Sequence, residues 1–376
     1  MKRVGVITMH RVMNVGSVLQ SYALCEKLSQ LGANAEIIDY QYPNRFHKQD
    51  VSSLSFAKKI ILFPHRVKYY LLYRSKIQKA RFRQFIAQRI PMSKYYPDRE
   101  SIYNAPPQYD IFMTGSDQVW NPKCMNGDSV FLCDFAKSGM KVSYSASFTV
   151  ADIPDSLKHV YSDALKTYKY IGVRESSAVG LVDKLSGKEA TMVCDPTLLL
   201  TKEDYIKLAA DSAFDKDRDP YILVYPLSYA FDPYPQIDEV VSEVKKQLGY
   251  KVIYLHANSV EHFHIGKSIT SAGPAEFVDL FLNAKFVITS SFHGTAFAIN
   301  FEIPFISVVP EDMDQDSRIM SLLKTMNLTQ QAIKTMQKLP SPLNLYVDYE
   351  IARNSLSEYR RLSEEFLMSI IEDDNG

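Results

Sequence analysis

The alternation of apolar and polar segments along the chain predicts repeated strand–helix–strand units. Residues 2–8 form a short apolar strand pattern, and after a polar loop apolar residues recur at helical spacing as far as Gly32. Residues 35–40 predict the next strand, so the two strands run parallel and helices cover the sheet. Further strands are predicted at 109–114, 142–146, 170–173 and 191–194.

The alternation starts again after the charged stretch 211–220, which places a domain boundary near residue 200. Strands at 221–225, 251–255, 286–290 and 304–309 alternate with helices, among them one at 295–300. We therefore predict an α/β fold with two doubly wound, Rossmann-like domains that face a cleft. The domains are residues 1–200 and 201–345, and residues 346–376 form a C-terminal helix placed to pack back on the first domain.

A basic helical insertion at about 51–97 interrupts the first domain. No acidic residue lies between Asp50 and Asp98, whereas eleven Lys and Arg are interleaved with aromatic residues there. A solvated helical hairpin packed on the sheet and a surface that docks on an anionic membrane both remain open interpretations. No RNP, helix-turn-helix or zinc-finger pattern is present, so we expect no nucleic-acid partner.

Composition and charge narrow the class of protein. The chain has 376 residues, 46% hydrophobic and 23% charged, with net charge zero, which is typical of a globular protein. No run approaches the roughly 20 apolar residues of a membrane span, and the N-terminus lacks a secretory apolar core. We expect a cytoplasmic protein, with peripheral contact to the inner face of the membrane through 51–97 as an alternative. Residues 1–200 carry ten more basic than acidic residues, which favours an anionic partner for that half.

The first candidate loop follows the first predicted strand and contains Asn14, Gly16 and Ser17. Glycine lets the backbone approach a ligand, and the helix start offers N–H groups to a carboxylate or phosphate. The alternative is an ordinary helix N-cap by Asn14 or Ser17.

The second candidate loop, which follows the strand at 109–114, contains Ser116, Asp117, Gln118 and Trp120. Asp117 is a candidate general base that activates a hydroxyl, with a capping role as the alternative. Trp120 either stacks on a sugar or belongs to the core.

The third candidate loop contains Ser291, His293 and Gly294 at a predicted strand–helix junction. A histidine at a helix N-terminus can contact an anion and titrate near neutral pH, although a structural histidine remains the alternative. Arg174, at the end of another strand, suits a phosphate or carboxylate, or else an ion pair with Glu175 or another acid. His262 and His264 lack a nearby third ligand, so we expect no metal.

Six short motifs occur together in the chain, and their combination resembles the polysaccharide pyruvyl transferase family. They span about residues 4–330 in family order. The motifs are Asn14-x-Gly16-Ser17-x-Leu19-Gln20-x-Tyr22-Ala23, Gly115-Ser116-Asp117-Gln118-Val119-Trp120-Asn121, Lys141-x-Ser143-Tyr144-x-Ala146-Ser147-Phe148, Val173-Arg174-Glu175, Asp195-Pro196-Thr197-Leu198-Leu199 and Ser291-Phe292-His293-Gly294-x-Ala296-Phe297.

The resemblance implies a GT-B-like architecture and transfer of the pyruvyl group of phosphoenolpyruvate onto two hydroxyls of a sugar. The acceptor would be a cell-surface polysaccharide or a lipid-linked sugar, and the products a cyclic ketal and phosphate. Phosphoenolpyruvate is the donor substrate, and no cofactor is implied. Arg174 matches the family arginine expected to bind phosphoenolpyruvate, and His293 matches the histidine of the family motif in the second domain. Many members carry an arginine two residues before that histidine, where this chain has Ser291, and Arg318 is a candidate to compensate.

The implied chemistry assigns roles to these residues. His293 is the expected acid and Asp117 the expected base, while Ser291, Gly294 and Arg318 join Arg174 around phosphoenolpyruvate. Acceptor or loop contacts are expected from Asn14, Gly16, Ser17, Ser116, Gln118 and Trp120. Two alternatives stay open on the same fold: a glycosyltransferase that uses a nucleotide-sugar, and a non-catalytic sugar-binding protein.

Overall fold

The computed structural model of the protein describes residues 1–42, 76–215, 219–228, 231–255, 266–311 and 318–373. The chain divides into two compact units, each with a six-stranded sheet. The first unit contains 1–42, 86–200 and 357–373, and the second contains 76–85 and the described part of 201–356.

All strands of the first sheet run parallel. They are β1 (Arg3–Ile7), β2 (Asn34–Ile37), β3 (Ile111–Thr114), β4 (Met140–Ala146), β5 (Tyr170–Val173) and β6 (Thr191–Met192), in the order β2-β1-β3-β4-β5-β6. Val6 on β1 pairs with Ile37 on one side and Met113 on the other. The central strands are buried along nearly their whole length, as expected for a parallel sheet with helices on both faces.

The second sheet is parallel as well. Its strands are β7 (Tyr221–Tyr225), β8 (Lys251–Leu255), β9 (Lys267–Ile269), β10 (Phe286–Thr289), β11 (Phe305–Val309) and β12 (Ala332–Lys334), in the order β12-β11-β10-β7-β8-β9. The apolar pattern does not predict β9 and β12, because each is an edge strand of three residues with at most one buried residue.

Helices connect the strands of both sheets. They are α1 (Val15–Gln30), α2 (Lys76–Arg89), α3 (Arg99–Asn104), α4 (Pro122–Met125), α5 (Asp155–Lys166), α6 (Ser176–Ser186), α7 (Pro196–Leu199), α8 (Lys202–Ala209), α9 (Gln236–Leu248), α10 (Pro274–Asn283), α11 (Phe292–Phe301), α12 (Arg318–Thr325) and α13 (Tyr349–Ile371). The predicted class, α/β with two doubly wound parallel sheets, is confirmed. Helix α11 begins three residues earlier than predicted, so His293 lies in its first turn.

Each sheet has one point where the chain reverses its direction of strand addition. In the first sheet β1 lies between β2 and β3, and in the second β7 lies between β8 and β10. Connections diverge there, and in open α/β sheets ligands bind beyond the carboxyl ends of such strands. The loops after β1 and β3, and those after β7 and β10, are therefore the expected binding edges of the two units.

The described part of the basic insertion is divided between the two units. Residues 76–85 of α2 belong to the second unit, where Arg81 Nε lies 3.0 Å from Glu276 Oε1. Phe82 and Phe85 are buried on the same side of the helix. The sequence predicts the whole insertion in the first domain, whereas residues 76–85 group with the second unit, where Glu276 supplies a buried acid for Arg81.

The remainder of the insertion, residues 51–75, lies outside the described residues, and the predicted membrane contact through it stays a prediction. Of the helices in the described ranges, none has both the length and the apolar content that a bilayer crossing requires.

The last part of α13 completes the first unit. Ser363 Oγ accepts a hydrogen bond from the Cys194 N–H at 2.9 Å, and Phe366 packs over Gly172 on β5. A Cβ atom at Gly172 would lie 2.8 Å from the Phe366 ring and 2.9 Å from the Ser143 carbonyl oxygen. Glycine is thus required at this position because the helix and the neighbouring strand approach the backbone closely.

We expect Gly172→Ala to destabilise the protein by about 1–3 kcal/mol, since the added methyl group overpacks this contact. Gly180→Ala is the matched control, because a Cβ at Gly180 in α6 meets nothing within 4 Å. It should be neutral or stabilising by up to about 1 kcal/mol, since alanine favours a helix more than glycine does. Urea unfolding of both variants measures the difference, and equal stabilities would contradict the packing described.

Candidate active site

Arg174 lies at the end of β5 in the first unit, with its guanidinium buried among acidic side chains. Its side chain is 1% exposed. Nη1 donates to Asp195 Oδ2 at 2.9 Å, and Nη2 lies 3.8 Å from Asp117 Oδ1. The ion-pair alternative from the sequence is thus what the structure shows, with Asp195 rather than Glu175 as the closest partner.

Asp195 holds this arrangement rigid, because both of its carboxylate oxygens are engaged. As the N-cap of α7, its Oδ1 accepts from the Thr197 backbone N–H at 3.0 Å and from Thr197 Oγ1 at 2.7 Å. Its Oδ2 accepts from Ser116 Oγ at 2.9 Å in addition to Arg174. Ser116, which is fully buried, thereby links the end of β3 to the end of β6.

The carboxylates around Arg174 stabilise its positive charge. Burial alone would lower the pKa of Arg174, but the nearby carboxylates of Asp195, Asp117 and Glu175 raise it above its usual value. The guanidinium is therefore a permanent cation whose charge is already matched inside the protein. The expected binding of phosphoenolpyruvate by Arg174 stays a prediction. An anion bound to this guanidinium would lie next to the carboxylates of Asp117 and Asp195.

Asp117 is the member of this group with access to solvent, at 8% side-chain exposure against 0% for Asp195. Ser17 Oγ donates to Asp117 Oδ2, and the Gln118 backbone N–H donates to Oδ1 at 2.9 Å. The backbone of Asp117 is in the left-handed region with φ of 78°, as is that of Ser145 with φ of 57°. Such strained positions in non-glycine residues concentrate at functional sites.

The loop after β1 adopts the capping alternative. Asn14 Oδ1 accepts from the backbone N–H groups of Gly16 at 2.9 Å and Ser17 at 3.4 Å, so it caps α1. These N–H groups are therefore bonded to Asn14. What the loop brings to the site is the Ser17 hydroxyl, which contacts Asp117.

Trp120 belongs to the core, and this decides between its two predicted roles. The side chain is fully buried, and its Nε1 donates to the Phe131 carbonyl oxygen at 3.2 Å. Its ring centroid lies 5.1 Å from that of Phe148. The expectation that Trp120 stacks on a sugar is corrected, because no face of the ring is presented to a ligand.

The second unit places His293 in the first turn of α11, beside the carboxyl end of β10. The residue is 7% exposed, and its ring makes an edge contact with Phe292, with centroids 5.3 Å apart. Ser291 caps the helix by accepting from the Gly294 N–H at 3.3 Å. A Cβ at Gly294 would overlap Thr289 Oγ1, so this glycine is required for the helix to start so close to the strand.

Arg318, at the start of α12, lies near the same helix start. Its guanidinium carbon is 5.9 Å from the centroid of the Phe292 ring. The second unit thus places a cation next to the motif in which Ser291 replaces the expected arginine.

Two acidic residues of the site were not predicted as site residues from the sequence. Asp195 is followed by Pro and Thr, a pattern typical of a helix N-cap, and it does cap α7. Glu175 accepts three hydrogen bonds at Oε1, from Ser147 Oγ, Phe148 N and Thr149 N, at 3.0, 2.9 and 3.0 Å. Both residues lie in the family motifs, so the motifs could have indicated them as site residues.

In the described part of the chain, no group of three His, Cys, Asp or Glu side chains is arranged to hold a metal ion.

The two parallel, doubly wound sheets, each with a polar cluster near its switch point, define a two-domain Rossmann-like α/β protein. A family model described as polysaccharide pyruvyl transferase matches residues 14–312. The chain belongs to the polysaccharide pyruvyl transferase family, which is a family of transferases with sugar acceptors. No curated protein sequence matches it.

Solved structures support the fold. The chain is similar to UDP-GlcNAc 2-epimerase from Methanocaldococcus jannaschii in complex with UDP-GlcNAc and UDP, with a TM-score of 0.52 and 12% identity over 95% of this chain and 99% of that chain. A further structure of UDP-GlcNAc 2-epimerase from that organism gives a TM-score of 0.50 and 11% identity over 95% of this chain and 92% of that one. At such identities the likeness shows the two-domain Rossmann-like fold alone.

Replacing Arg174 by glutamine should destabilise the protein by about 3–5 kcal/mol, because it leaves Asp195 and Asp117 buried without their cation. Arg361→Gln is the control: Arg361 is 53% exposed and pairs with Glu358 on the surface of α13. That variant should unfold like the wild type, because an ion pair exposed to water contributes little to stability. Thermal and urea unfolding of the two variants test this, and a stable Arg174→Gln would refute the structural role assigned to the pair.

Proposed function

We propose that the protein transfers the pyruvyl group of phosphoenolpyruvate onto two hydroxyls of a cell-surface polysaccharide or lipid-linked sugar. Family membership supports a transferase with a sugar acceptor. The observation that carries the proposal is the placement of the Asp117 carboxylate at the switch point of the first sheet. This carboxylate retains access to solvent, accepts a hydrogen bond from Ser17 and lies near the Arg174 guanidinium.

The proposed reaction balances without a cofactor. The first sugar hydroxyl adds to C2 of phosphoenolpyruvate, while C3 gains a proton and becomes a methyl group. The second hydroxyl then displaces phosphate from C2, and its proton leaves with the phosphate. The product is a cyclic ketal, so each step needs one group that takes a proton from oxygen and one that supplies a proton.

Asp117 is the proposed base for the attacking hydroxyl. A base must hold a defined orientation within hydrogen-bond reach of the proton that it removes. Ser17 and the Gln118 N–H fix the two oxygens of Asp117, while Arg174 favours the ionised form by its charge. We assign Arg174 to positioning Asp117, because its own charge is already matched by Asp195.

His293 is the proposed acid toward C3 of the donor. It lies in the first turn of α11, where the positive end of the helix dipole favours an anionic ligand. Arg318 near the same turn supplies a full positive charge for the phosphate or carboxylate of phosphoenolpyruvate. This assignment places the anionic groups of the donor at the start of α11, next to His293 and Arg318.

Asp117→Asn and His293→Gln should each lower phosphate release from phosphoenolpyruvate by about 10²–10⁴-fold, the usual contribution of a general base or acid. The assay compares release with and without methyl glycosides of galactose, glucose and mannose. Asp163→Asn and His159→Gln are matched controls, because both residues are exposed on α5. Calorimetric binding of UDP-GlcNAc together with no response to phosphoenolpyruvate would instead favour the glycosyltransferase alternative.

Arg318→Gln should weaken phosphoenolpyruvate binding about tenfold, since it removes one charge-assisted contact to the donor. Lys207→Gln is the control, because Lys207 lies on α8 with its side chain 80% exposed. Titration calorimetry of both variants measures the effect. Unchanged affinity in Arg318→Gln would show that Arg318 does not compensate for Ser291.

A further inference from the structure

The side-chain amide of Gln118 has an orientation that its neighbours determine. Asn121 caps α4, and its Oδ1 accepts from the Lys123 backbone N–H at 2.9 Å. A backbone N–H can only donate, so the Asn121 atom that it contacts must be the oxygen. The other atom of that amide, Nδ2, is therefore a donor.

This donor determines which end of Gln118 points inward. Asn121 Nδ2 lies 2.8 Å from Gln118 Oε1, which must be an acceptor. Thr149 Oγ1 and Cys124 Sγ, both 3.4 Å away, donate to the same oxygen. Since the oxygen is directed to these three donors, the amide nitrogen is directed away from them. In the part of the chain that the structure describes, Nε2 donates to no protein acceptor.

Glu175 fixes the backbone of Thr149, one of the three donors to Gln118 Oε1. Its Oε1 accepts from the Thr149 N–H at 3.0 Å and the Phe148 N–H at 2.9 Å, and Glu175 itself is 1% exposed. Thr149 cannot shift without breaking these bonds, so Gln118 is oriented before any ligand arrives. Gln118 itself is half-buried and directly follows Asp117, to which its backbone N–H is bonded.

We propose that Gln118 is a specificity-determining residue whose Nε2 donates to the sugar hydroxyl that Asp117 deprotonates. A hydroxyl is both donor and acceptor, so it can give its proton to Asp117 while a lone pair accepts from Gln118. A carboxylate or phosphate oxygen lacks the proton and is repelled by Asp117. The adjacent acceptor and donor therefore select a neutral hydroxyl over an anionic group. This inference rests on the proposed function.

Two isosteric variants test the orientation. Gln118→Glu replaces the outward donor by an acceptor. Asn121→Asp keeps the α4 cap but presents an acceptor to Gln118, which should rotate its amide by half a turn so that Nε2 points inward. Gln108→Glu, at an exposed position before β3, is the control for the added charge. Unfolding midpoints establish that each variant is folded.

The first measurement needs no sugar. In protein labelled with ¹⁵N-glutamine, the Gln118 side-chain NH₂ signal is the one that Gln118→Glu removes. We expect its protons to exchange rapidly with water in the wild type and to be slowed at least about tenfold in Asn121→Asp, where they bond to the new carboxylate. Slow exchange in the wild type, or no change in Asn121→Asp, would overturn the proposal.

The second measurement uses methyl glycosides of galactose, glucose and mannose in the presence of phosphoenolpyruvate. Gln118→Glu and Asn121→Asp should each raise KM for the glycoside that the wild type uses by about 10–100-fold, and the double variant should be no worse than either one. Unchanged KM in both folded variants would overturn the role in specificity. If no glycoside reacts, the exchange result still decides the orientation, and the failure counts against the proposed function alone.

Discussion

The guanidinium of Arg174 cannot lie inside the protein without carboxylates around it, and this requirement organises one edge of the first sheet. A buried charge without a partner costs several kcal/mol. Asp195 meets this need from the end of β6, and Asp117 approaches from the end of β3. The same electrostatic requirement therefore brings three strand ends together and leaves one of the carboxylates, Asp117, slightly exposed to solvent.

The acidic character of this cluster contrasts with the basic excess of the first 200 residues. Three carboxylates, from Asp195, Asp117 and Glu175, act on one guanidinium. The excess of Lys and Arg in that half lies elsewhere, much of it in the insertion. Summed charge over a half of the chain therefore says little about the ligand of a buried site, because a site responds to charges within a few ångströms.

The alternation of strands and helices was predictable from the sequence because buried parallel strands are continuous apolar runs. The edge strands β9 and β12 were not, since three residues with little burial carry no periodic signal. The motifs contain Asp117 and His293, whose roles stay predictions, and no local pattern shows that Arg174 pairs with Asp195, 21 positions away. Trp120 illustrates the same limit: Ser116, Asp117, Gln118 and Asn121 in its motif are polar, but Trp120 is buried by contacts with the distant Phe131 and Phe148.

The position of Ser363 and Phe366 has a consequence for biosynthesis. Both residues are needed to finish the first unit, where they cover Cys194 and Gly172, and they leave the ribosome after the whole of the second unit. The contacts of α13 with Cys194 and Gly172 therefore cannot form until the last part of the chain has been made. The sheet whose strands are made first is thus covered last, and its surface at β5 stays open until α13 has been made.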